Sequence, residues 1–573
     1  MSKDSNIINN NELKEYSSLM KNLLINRGID TDEKANIFLN PDYARDINNP
    51  FLILNMECAV LRIISAIDKK EKIIIYGDYD CDGIPGSVVL YDFFKKINFE
   101  NFENYIPHRH KEGYGLNIGA IDEFSKQSVQ LIITVDCGIS DMAEISHAQK
   151  IGIDVIVTDH HTVPVATDDK YLPAYTILNS KQKDDKYPDD MLCGAGLAWK
   201  LVQALLKKGR EIDAKWANDI PEGWEKWLLD MAGLSTIADM VPLQKENRAI
   251  AYFGLRVLRK SPRPGLLKLL HKMKMNQQYL TEDDIGFMIA PRINAASRMD
   301  IPMRAFTLLS TDDDIEAGKL SEHLHNINDE RKWIVASIVK EVKKELKQRE
   351  IKKVVVIGNP KWSVGVLGIV ASKIVEEYDR PAFVWGRGEG EVIKGSCRSN
   401  GTVDVVKLMR NTDKDLFLDT GGHEFAGGFS ITNEKIHKLE KEIIDSFDKV
   451  KTDKRAEKSE DVDAKLGIND VVWDNYNQIE RLSPFGVGNK KPTFLFENIE
   501  IDNVAYFGKE KNHIRLDFKN SKAKKISAIG FFMQEDMFEV PIGSGVKINL
   551  IATMEKSMFR NFPELRLRIV DIQ

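Results

Sequence analysis

Residues 72–83 read KIIIYGDYDCDG, an apolar run followed directly by three closely spaced aspartates. Its opening run, KIIIY, is short and apolar, which is typical of a strand that is buried on both faces of a sheet. Similar runs follow at residues 131–135 (LIITV) and 155–158 (VIVT), while residues 87–96 and 142–151 have helical patterns. Buried strands connected by helices predict a parallel α/β sheet.

Acidic and histidine side chains follow each of these strands. They are Asp78, Asp80 and Asp82 after the first run, Asp136 after the second, and Asp159, His160 and His161 after the third. The carboxyl ends of the strands form the ligand crevice of an open α/β sheet, so we expect these side chains to converge. Carboxylates in one crevice repel each other unless cations hold them together. Oxygen ligands with one or two imidazoles suit Mn²⁺ or Mg²⁺, so the sequence predicts a site for such ions.

Each motif alone also fits a simpler role. The aspartates of residues 78–82 could form a solvated or calcium-binding loop, and residues 159–161 could be a turn with a helix cap. Asp136 alone would be an ordinary residue at the end of a strand. Their joint placement at three successive strand ends favours the metal site.

The rest of the chain divides into further segments. A second α/β unit is predicted from residues 354–357, 368–377 and 382–385. Before it, residues 312–349 have one long helical pattern that would span ~50 Å, either as a core helix or as an arm that bridges two domains. Residues 449–465 are charged and nearly free of large apolar side chains, which indicates a linker. Five short β-like runs after it predict a small barrel or sandwich.

Composition sets limits without naming a function. A chain of 573 residues suggests three or four domains. It contains no run of ~18 to 20 apolar residues, and the polar N-terminus has no apolar signal region, so we expect no membrane span and no secretory signal. The 5 cysteines form no C-x-x-C pair, which favours reduced thiols and the cytoplasm. A net charge of −6 still permits one basic groove on an acidic body.

The motifs resemble a known family. GDYDCDG, then TVDCGIS at residues 134–140, VTDHH at 157–161 and IADMVPL at 237–243, resembles the four ordered motifs of the DHH phosphoesterase superfamily. The resemblance is closest to its RecJ branch. The segments that carry it are PHR at 107–109, EGYGL at 112–116, LCGAGLAWK at 192–200, ENR at 246–248, PRINAASRM at 291–299, KGSCRS at 394–399, GGHEFAGGFS at 421–430 and PFGVGNKKP at 484–492.

This resemblance implies a hydrolase with two Mn²⁺ or Mg²⁺ ions. The metal shell that it implies is Asp78, Asp80, Asp82, Asp136, His160 and Asp239. Asp136 would bridge the two ions, and His161 would contact the scissile phosphate. Asp159 would orient its neighbours and not bind metal directly.

The resemblance also implies a substrate path. Arg109, Ser396 and Arg398 would hold a terminal 5′-phosphate and so set a 5′-to-3′ direction. Further residues implied along the strand are Arg292, Asn294 and Arg298, with Tyr114 stacking on a base and His423 in a loop facing the active site. Without the resemblance, solvated arginines and a core tyrosine are the simpler interpretation.

The chain departs from the family pattern at four positions. Tyr76 stands where metal-binding relatives often have His, Pro85 where many have Thr or Ser, and Ser297 where Gly is usual. Ser363 stands where His often follows the tryptophan, which puts a role of that loop in phosphate contact in doubt. None of these changes removes a predicted metal ligand.

We therefore predict a single-stranded-DNA-specific 5′-to-3′ exonuclease of DNA repair and recombination. The expected domains are a catalytic domain at 1–311, a bridging helix at 312–350, a DHH-associated domain at 351–448, a linker at 449–465 and an all-β oligonucleotide-binding barrel at 466–573. We expect a monomer. The nucleotide-binding motif G-x-x-x-x-G-K-[ST] is absent, so we expect unwinding to come from a separate helicase, with a single-strand-binding protein also supplying the strand. Two alternatives are a phosphodiesterase for short RNA or cyclic dinucleotides, which typically lacks the barrel, and an inactive DNA-tracking scaffold, which predicts broken metal motifs.

Overall fold

The computed structural model describes residues 12–164, 172–388, 392–450, 462–508, 511–538, 540–558 and 562–573. Residues 1–11 and most of the predicted linker at 449–465 lie outside the described residues. The chain forms two compact units, one of residues 1–48, 240–253 and 459–573 and the other of residues 49–239 and 254–458. The sequential domain boundaries expected from the sequence stay predictions. In the described ranges no single helix is long and apolar enough to cross a membrane, although one bent pair, Tyr43–Leu52 with Met56–Lys69, meets the length and composition criteria.

The helices are α1 (Ser18–Ile25), α2 (Asp32–Leu39), α3 (Tyr43–Asp46), α4 (Met56–Asp68), α5 (Gly83–Lys96), α6 (Ile118–Lys126), α7 (Met142–Lys150), α8 (Gly194–Glu211), α9 (Lys215–Asn218), α10 (Leu229–Ala238), α11 (Lys245–Leu258), α12 (Pro264–Lys272), α13 (Glu282–Asp284), α14 (Ala290–Met299), α15 (Met303–Ser310), α16 (Asp314–Leu346), α17 (Leu367–Tyr378), α18 (Val405–Arg410), α19 (Leu439–Phe447) and α20 (Trp473–Glu480).

The strands are β1 (Lys72–Gly77), β2 (Phe102–Tyr105), β3 (Val129–Val135), β4 (Asp154–Thr158), β5 (Thr176–Leu178), β6 (Val355–Gly358), β7 (Ala382–Arg387), β8 (Val392–Arg398), β9 (Asp419–His423), β10 (Ala426–Thr432), β11 (Ala464–Lys465), β12 (Phe494–Glu500), β13 (Asn503–Phe507), β14 (His513–Lys519), β15 (Lys525–Phe531), β16 (Lys547–Ser557) and β17 (Glu564–Ile572).

The first sheet has the order β2-β1-β3-β4-β5, and all of its pairings are parallel. The predicted parallel α/β sheet is thereby confirmed. Its central strands are buried because helices cover both faces, as the continuous apolar runs require. β1, β3 and β4 end side by side, so the residues that follow them share one edge.

Beside this sheet, one buried ion cluster ties three helical segments together. Arg263, just before α12, donates to Asp230 on α10 at 2.7 Å and to Asp92 on α5 at 2.7 Å. Burial raises the pKa of the Asp92 carboxyl, with Arg263 opposing that shift. Because one guanidinium serves two carboxylates here, losing it would leave two negative charges without a partner.

The long helix α16 has 33 residues and occupies much of the stretch predicted to be helical. Its N-cap is Asp313, whose carboxylate accepts the amides of Ile315 at 2.7 Å and Glu316 at 3.0 Å. The first part of the helix packs against α12, α14 and α15. Its last part joins a core with β6, β7 and α17, so it is both a core helix and a connection between two sheets.

The second sheet has the order β6-β7-β8-β10-β9. β6 and β7 are parallel, whereas β7, β8, β10 and β9 pair in antiparallel fashion. The register places Ala426 opposite both Arg398 on β8 and His423 on β9. Ser396 and Arg398 therefore project from the same face of the sheet as His423, because side chains alternate along a strand.

The third sheet has seven strands in the order β11-β12-β16-β17-β15-β14-β13. α20 belongs to the same segment, and its Ile479 joins the core. The core of this unit also contains Leu19 and Leu23 from α1. Arg248 of α11 donates to the carbonyl oxygens of Leu482 and Ser483 at 3.0 Å each, so the ENR segment has a structural role here.

Candidate metal centre and substrate surface

The loop after β1 is a tight turn held by its own carboxylates. The Asp78 amide donates to the Val135 carbonyl oxygen at 3.0 Å. Asp80 Oδ1 accepts hydrogen bonds from the amides of Asp82 at 2.8 Å and Gly83 at 3.2 Å. A Cβ atom at Gly83 would lie 2.5 Å from the Asp78 carbonyl oxygen, so only glycine lets α5 begin directly behind the aspartates.

Asp82 is anchored by backbone donors at the start of α8. Its Oδ2 accepts the Gly194 amide at 2.6 Å, and its Oδ1 accepts the Ala195 amide at 2.8 Å and the Ser235 hydroxyl. The positive end of the α8 dipole therefore faces this carboxylate. These bonds fix Asp82 in one orientation toward the other acidic side chains.

Asp136 follows β3 in a left-handed backbone conformation, with φ of 63°. This conformation is uncommon for a residue with a side chain, so the surrounding structure must impose it. The Asp136 Oδ1 and Asp78 Oδ1 atoms are buried and have no hydrogen-bond partner among the described residues. Buried acceptors without donors are costly, which indicates that a group absent from the protein itself satisfies them.

His160 brings the remaining predicted ligands together. Its Nε2 lies 3.1 Å from Asp136 Oδ1 and 3.5 Å from Asp82 Oδ2. It also lies 3.6 Å from Oδ2 of Asp239, the residue after α10. Three sets have ligand atoms within 4.8 Å of one another, namely Asp78 with Asp80 and Asp136, Asp82 with His160 and Asp239, and Asp136 with His160 and His161. Asp136 belongs to two of these sets, which suits a bridging position.

The acidic groups repel one another in this geometry. Burial, with the nearby aspartates, raises the pKa of Asp78 and of Asp136 well above the usual range. Burial together with Asp82 and Asp80 raises the pKa of Asp239 to about 9. Divalent cations would offset this repulsion and supply partners for the orphaned oxygens. The donor set of carboxylates and imidazole therefore fits Mn²⁺ or Mg²⁺.

His161 is oriented by Asp159 and Tyr114. Its Nδ1 lies 2.7 Å from Asp159 Oδ1 and 3.2 Å from the Tyr114 hydroxyl oxygen. Burial lowers the pKa of His161, but the hydrogen bond and charge of Asp159 raise it more, so the net shift is upward. The Tyr114 hydroxyl also donates to the Asp136 carbonyl oxygen at 2.8 Å. Asp159 thus contacts the imidazole of His161, and the Tyr114 hydroxyl is bonded to the backbone of Asp136.

Ser396 and Arg398 on β8 lie against the first turn of α17. Arg398 Nη1 donates to Ser396 Oγ at 3.2 Å and to the Cys397 carbonyl oxygen at 2.7 Å. A Cβ atom at Gly368 would lie 2.8 Å from Arg398 Nη2 and 3.1 Å from Ser396 Oγ. These polar atoms therefore lie beside the N-terminal turn of α17, where the positive end of the helix dipole favours anions.

Four arginines form what we call the arginine cluster, namely Arg109, Arg298, Arg331 and Arg398. Burial lowers the pKa of Arg298 to about 9, and the other three guanidinium groups add to that shift while Asp80 opposes it. No member forms an ion pair with a carboxylate among the described residues. The Arg109 guanidinium carbon instead lies 4.9 Å from the centroid of the Tyr79 ring. A cluster of positive charges without counter-charge beside the acidic site indicates an anionic substrate.

Two residues predicted on the strand path are turned inward. Arg292 is buried, donates to the Met288 carbonyl oxygen at 2.7 Å and has its Nε 3.3 Å from His325 Nδ1. Asn294 Oδ1 accepts the Cys81 amide at 2.9 Å, so it supports the acidic loop. His423 is exposed on β9, two strands from Arg398 in the same sheet.

Three of the positions that depart from the family pattern have clear surroundings. Tyr76 is fully buried in the core, and its hydroxyl donates to the Gly115 carbonyl oxygen at 2.9 Å. Ser297 is also buried and donates to the Asn294 carbonyl oxygen at 3.2 Å. Ser363 is exposed at the start of a short 3₁₀ turn and forms no capping bond there. None of the three occupies a position among the metal ligands.

Several residues around the site were not predicted from the sequence. Lys181 donates to the His160 carbonyl oxygen and opposes the upward shift of the Asp239 pKa. Gly368 leaves room for the Arg398 guanidinium, because a side chain there would contact it. Arg331 belongs to the arginine cluster. Lys181 follows an unpredicted strand, and no local pattern marks it.

Comparison with known proteins first defines the class. The family model described as "DHH family, N-terminal domain" matches residues 72–223, the "DHHA1 domain" matches 332–449 and the "RecJ OB domain" matches 462–571. The chain thus combines a DHH catalytic domain with its associated domain and an oligonucleotide-binding domain.

Individual relatives narrow this class. The "Single-stranded-DNA-specific exonuclease RecJ" of Bacillus subtilis is 34% identical over 98% of this chain and 68% of its own length. The protein of the same name from Haemophilus influenzae is 31% identical over 82% of each chain. The structure of RecJ in complex with Mn²⁺ from Thermus thermophilus has a TM-score of 0.78 at 25% identity and covers 98% of this chain and 76% of that one. The chain belongs to the RecJ family.

Proposed function

We propose that the protein is a metal-dependent, single-stranded-DNA-specific exonuclease that degrades strands from the 5′ end and releases nucleotides. The observation that carries this is the convergence of six predicted ligands at one edge of the first sheet, beside arginines without carboxylate partners. Membership of the RecJ family, whose relatives are named single-stranded-DNA-specific exonucleases, supports the substrate. A role in DNA repair and recombination follows from the same membership.

The residues that would hold two Mn²⁺ or Mg²⁺ ions are Asp78, Asp80, Asp82, Asp136, His160 and Asp239. Such ions, when bound, lower the pKa of a water and offset negative charge on the phosphate. The arrangement of Asp136 between two sets of ligands supports the bridging role. Structures of RecJ with Mn²⁺ and with Mg²⁺ agree with this choice of ions.

The protein's own residues position the scissile phosphate. Asp159 holds Nδ1 of His161, which leaves the other ring nitrogen for a phosphate oxygen. A protonated His161 would donate a charge-assisted hydrogen bond to that oxygen. Tyr114 restrains the imidazole from a second side and presents its half-exposed ring toward the path of a base. Cleavage therefore depends on this imidazole being held in one place and one orientation.

The direction of degradation is set in this proposal by Arg398, Ser396 and Arg109. A terminal phosphate carries about one more negative charge than an internal diester at neutral pH, because its second pKa is near 6. Arg398, the Ser396 hydroxyl and the first turn of α17 line one pocket, and burial lowers the pKa of Arg398, with Arg109 adding to the effect. Such a pocket favours the doubly charged end over a diester.

The third sheet offers a surface for bases farther along the strand. His513 lies between aromatic neighbours, with ring centroids 5.1 Å from Phe507, 5.3 Å from Phe531 and 4.7 Å from Phe532. The Arg568 guanidinium carbon lies 4.0 Å from the Phe531 centroid. Phe532 is 72% exposed. Exposed aromatic rings beside arginine bind bases without regard to sequence, which would extend the footprint on long strands.

The partners follow from the proposed substrate, and the location from the cysteines. An exonuclease for single strands without a helicase motif needs a helicase, and a single-strand-binding protein, to supply them. The 5 cysteines form no C-x-x-C pair, which favours reduced thiols, and we further propose that the enzyme is a cytoplasmic monomer. Size measurement in solution checks the oligomeric state.

The test uses single and double strands labelled at either end, with Mn²⁺ or Mg²⁺ supplied separately. Wild-type protein should shorten single strands from the 5′ end and leave blunt duplexes intact. Arg398→Ala should lower kcat/KM about ten-fold or more on 5′-phosphorylated strands, and much less on 5′-hydroxyl strands. Degradation from the 3′ end would refute the direction, and absence of cleavage with either metal would refute the function.

A further inference from the structure

The long helix α16 carries a polar interruption in its buried face. Asn328 and Arg331 lie between the buried residues Ile327 and Val335. Arg331 Nη2 donates to Asn328 Oδ1 at 3.0 Å, which is an ordinary bond within one helix turn. Arg331 Nε, however, is buried and has no hydrogen-bond partner among the described residues. The described protein residues therefore leave one hydrogen-bond donor of this guanidinium without an acceptor.

The position of Arg331 extends the arginine cluster. α14, which carries Arg292 and Arg298, packs against α16, and the charge of Arg331 lowers the pKa of both arginines, so Arg331 lies near both. Burial lowers the pKa of Arg331, and only Asp329 opposes that shift. Asp329 is itself engaged by Lys332 at 3.1 Å and by His325 at 3.4 Å. Arg331 thus belongs to the cluster, and Asp329, the carboxylate whose charge acts on it, is shared with Lys332 and His325.

We propose that Arg331 binds an internal phosphodiester of the substrate strand, through the buried Nε donor that has no partner within the described residues. This inference rests on the proposed function and names a further contact in the same site. Arg298 lies on α14, which packs against α16, and the charges of Asp80 and of the other three arginines all act on it, so the acidic centre and Arg331 lie within electrostatic reach of the same guanidinium. A strand that enters past Arg331 places successive phosphates along a row of guanidinium groups. The long helix is then a substrate-binding element as well as a connection between two sheets.

A purely structural role makes different predictions. If Arg331 only stabilises the turn around Asn328, its loss lowers the unfolding temperature and leaves the salt dependence of DNA binding unchanged. If it binds a phosphate, its loss removes about 0.7 from the slope of log affinity against log salt for a single strand. An internal contact must also affect 5′-phosphorylated and 5′-hydroxyl strands equally.

The experiment compares Arg331→Ala, Arg331→Lys and Lys332→Ala in the full chain. Lys332→Ala is the matched control, because it removes a positive charge from the next residue, whose side chain is 53% exposed. Binding of a fluorescent oligothymidylate is measured without divalent metal at several salt concentrations, and kcat/KM is measured with Mn²⁺ on both kinds of 5′ end. Unfolding temperatures are recorded for each variant.

We expect Arg331→Ala to weaken binding about ten-fold, to flatten the salt slope and to lower kcat/KM equally on both ends. Arg331→Lys should keep the salt slope, and Lys332→Ala should resemble the wild type. An unchanged slope for Arg331→Ala, or a loss confined to 5′-phosphorylated strands, overturns the inference. If the inference about Arg331 fails in this way while the wild type still degrades single strands, the proposed function stands. If the wild type has no nuclease activity, the proposed function itself is refuted.

Discussion

Gly368→Ala is the sharpest test of how the terminal phosphate is held. The new Cβ would lie 2.8 Å from Arg398 Nη2 and 3.1 Å from Ser396 Oγ, and both distances are shorter than comfortable contact. Arg398 Nη2 is the far end of a flexible side chain, so the guanidinium moves and the backbone stays. Displacing it should remove one charge-assisted hydrogen bond to the 5′-phosphate, worth roughly 1.5 to 3 kcal/mol, or about ten-fold to one-hundred-fold in kcat/KM.

The same substitution should not harm the fold. Alanine is favoured over glycine inside a helix by about 1 kcal/mol, so α17 should become slightly more stable. Activity and stability are therefore expected to change in opposite directions, which a general disruption of the protein cannot produce. Gly318→Ala in α16 is the matched control, because nothing lies within 4 Å of a Cβ atom there.

The assay is the ratio of kcat/KM on 5′-phosphorylated strands to that on 5′-hydroxyl strands of the same sequence. Gly368→Ala should lower this ratio about ten-fold or more, while Gly318→Ala leaves it unchanged. If Gly368→Ala retains the wild-type ratio, the terminal phosphate is not read by Arg398 in this pocket. If kcat/KM falls equally on 5′-phosphorylated and 5′-hydroxyl strands, Arg398 contacts the strand elsewhere and not at its 5′ end.

Three further changes test other parts of the structure. Asp136→Ala should abolish hydrolysis and remove the rise in unfolding temperature that Mn²⁺ gives the wild type, and near-normal turnover would eliminate the proposed centre. Arg263→Met should lower the free energy of unfolding by about 3 to 5 kcal/mol in denaturant titrations near neutral pH, because Asp92 and Asp230 lose their cation. That loss should shrink as the pH falls, since burial raises the pKa of Asp92 and protonation removes the charge that Arg263 no longer offsets; a pH-independent loss would contradict this. Phe507→Ala combined with Phe532→Ala should weaken binding to long strands and spare short ones, and equal effects on both lengths would show that the aromatic surface does not extend the footprint.

Much of the fold could be predicted from patterns along the chain. β1, β3 and β4 are continuous apolar runs, and only a strand covered on both faces requires such composition. The edge strands β2 and β5 escaped prediction because they are short, and β2 is half-exposed, so tertiary pairing defines them. The addition of α1 and part of α11 to the third sheet could not be seen either, since it depends on contacts between distant parts of the chain.

The candidate site divides in the same way. Asp78, Asp136 and His160 could be found because each follows a strand, and strand ends meet at one edge of the sheet. The inward orientation of Arg292 could not be predicted, because a helical position does not reveal which neighbours it meets. Arg331 did leave a signal, since Asn328 and Arg331 interrupt an otherwise apolar face of α16. Polar residues on a buried helix face are unusual and therefore indicate a functional contact, whereas an exposed arginine is ordinary and indicates nothing.

The discontinuous unit has a consequence for how the protein is made. Leu19 and Leu23 on α1 belong to the same core as Phe494 and Leu567 on β12 and β17. At synthesis rates of about 5 to 20 residues per second, roughly half a minute to two minutes separate the emergence of these segments. During that time the apolar face of α1 has no partner, whereas the inserted segment of residues 254–458 is already complete. The ribosome-bound chain should therefore recruit chaperones through its first helices, and release should coincide with closure of the last sheet.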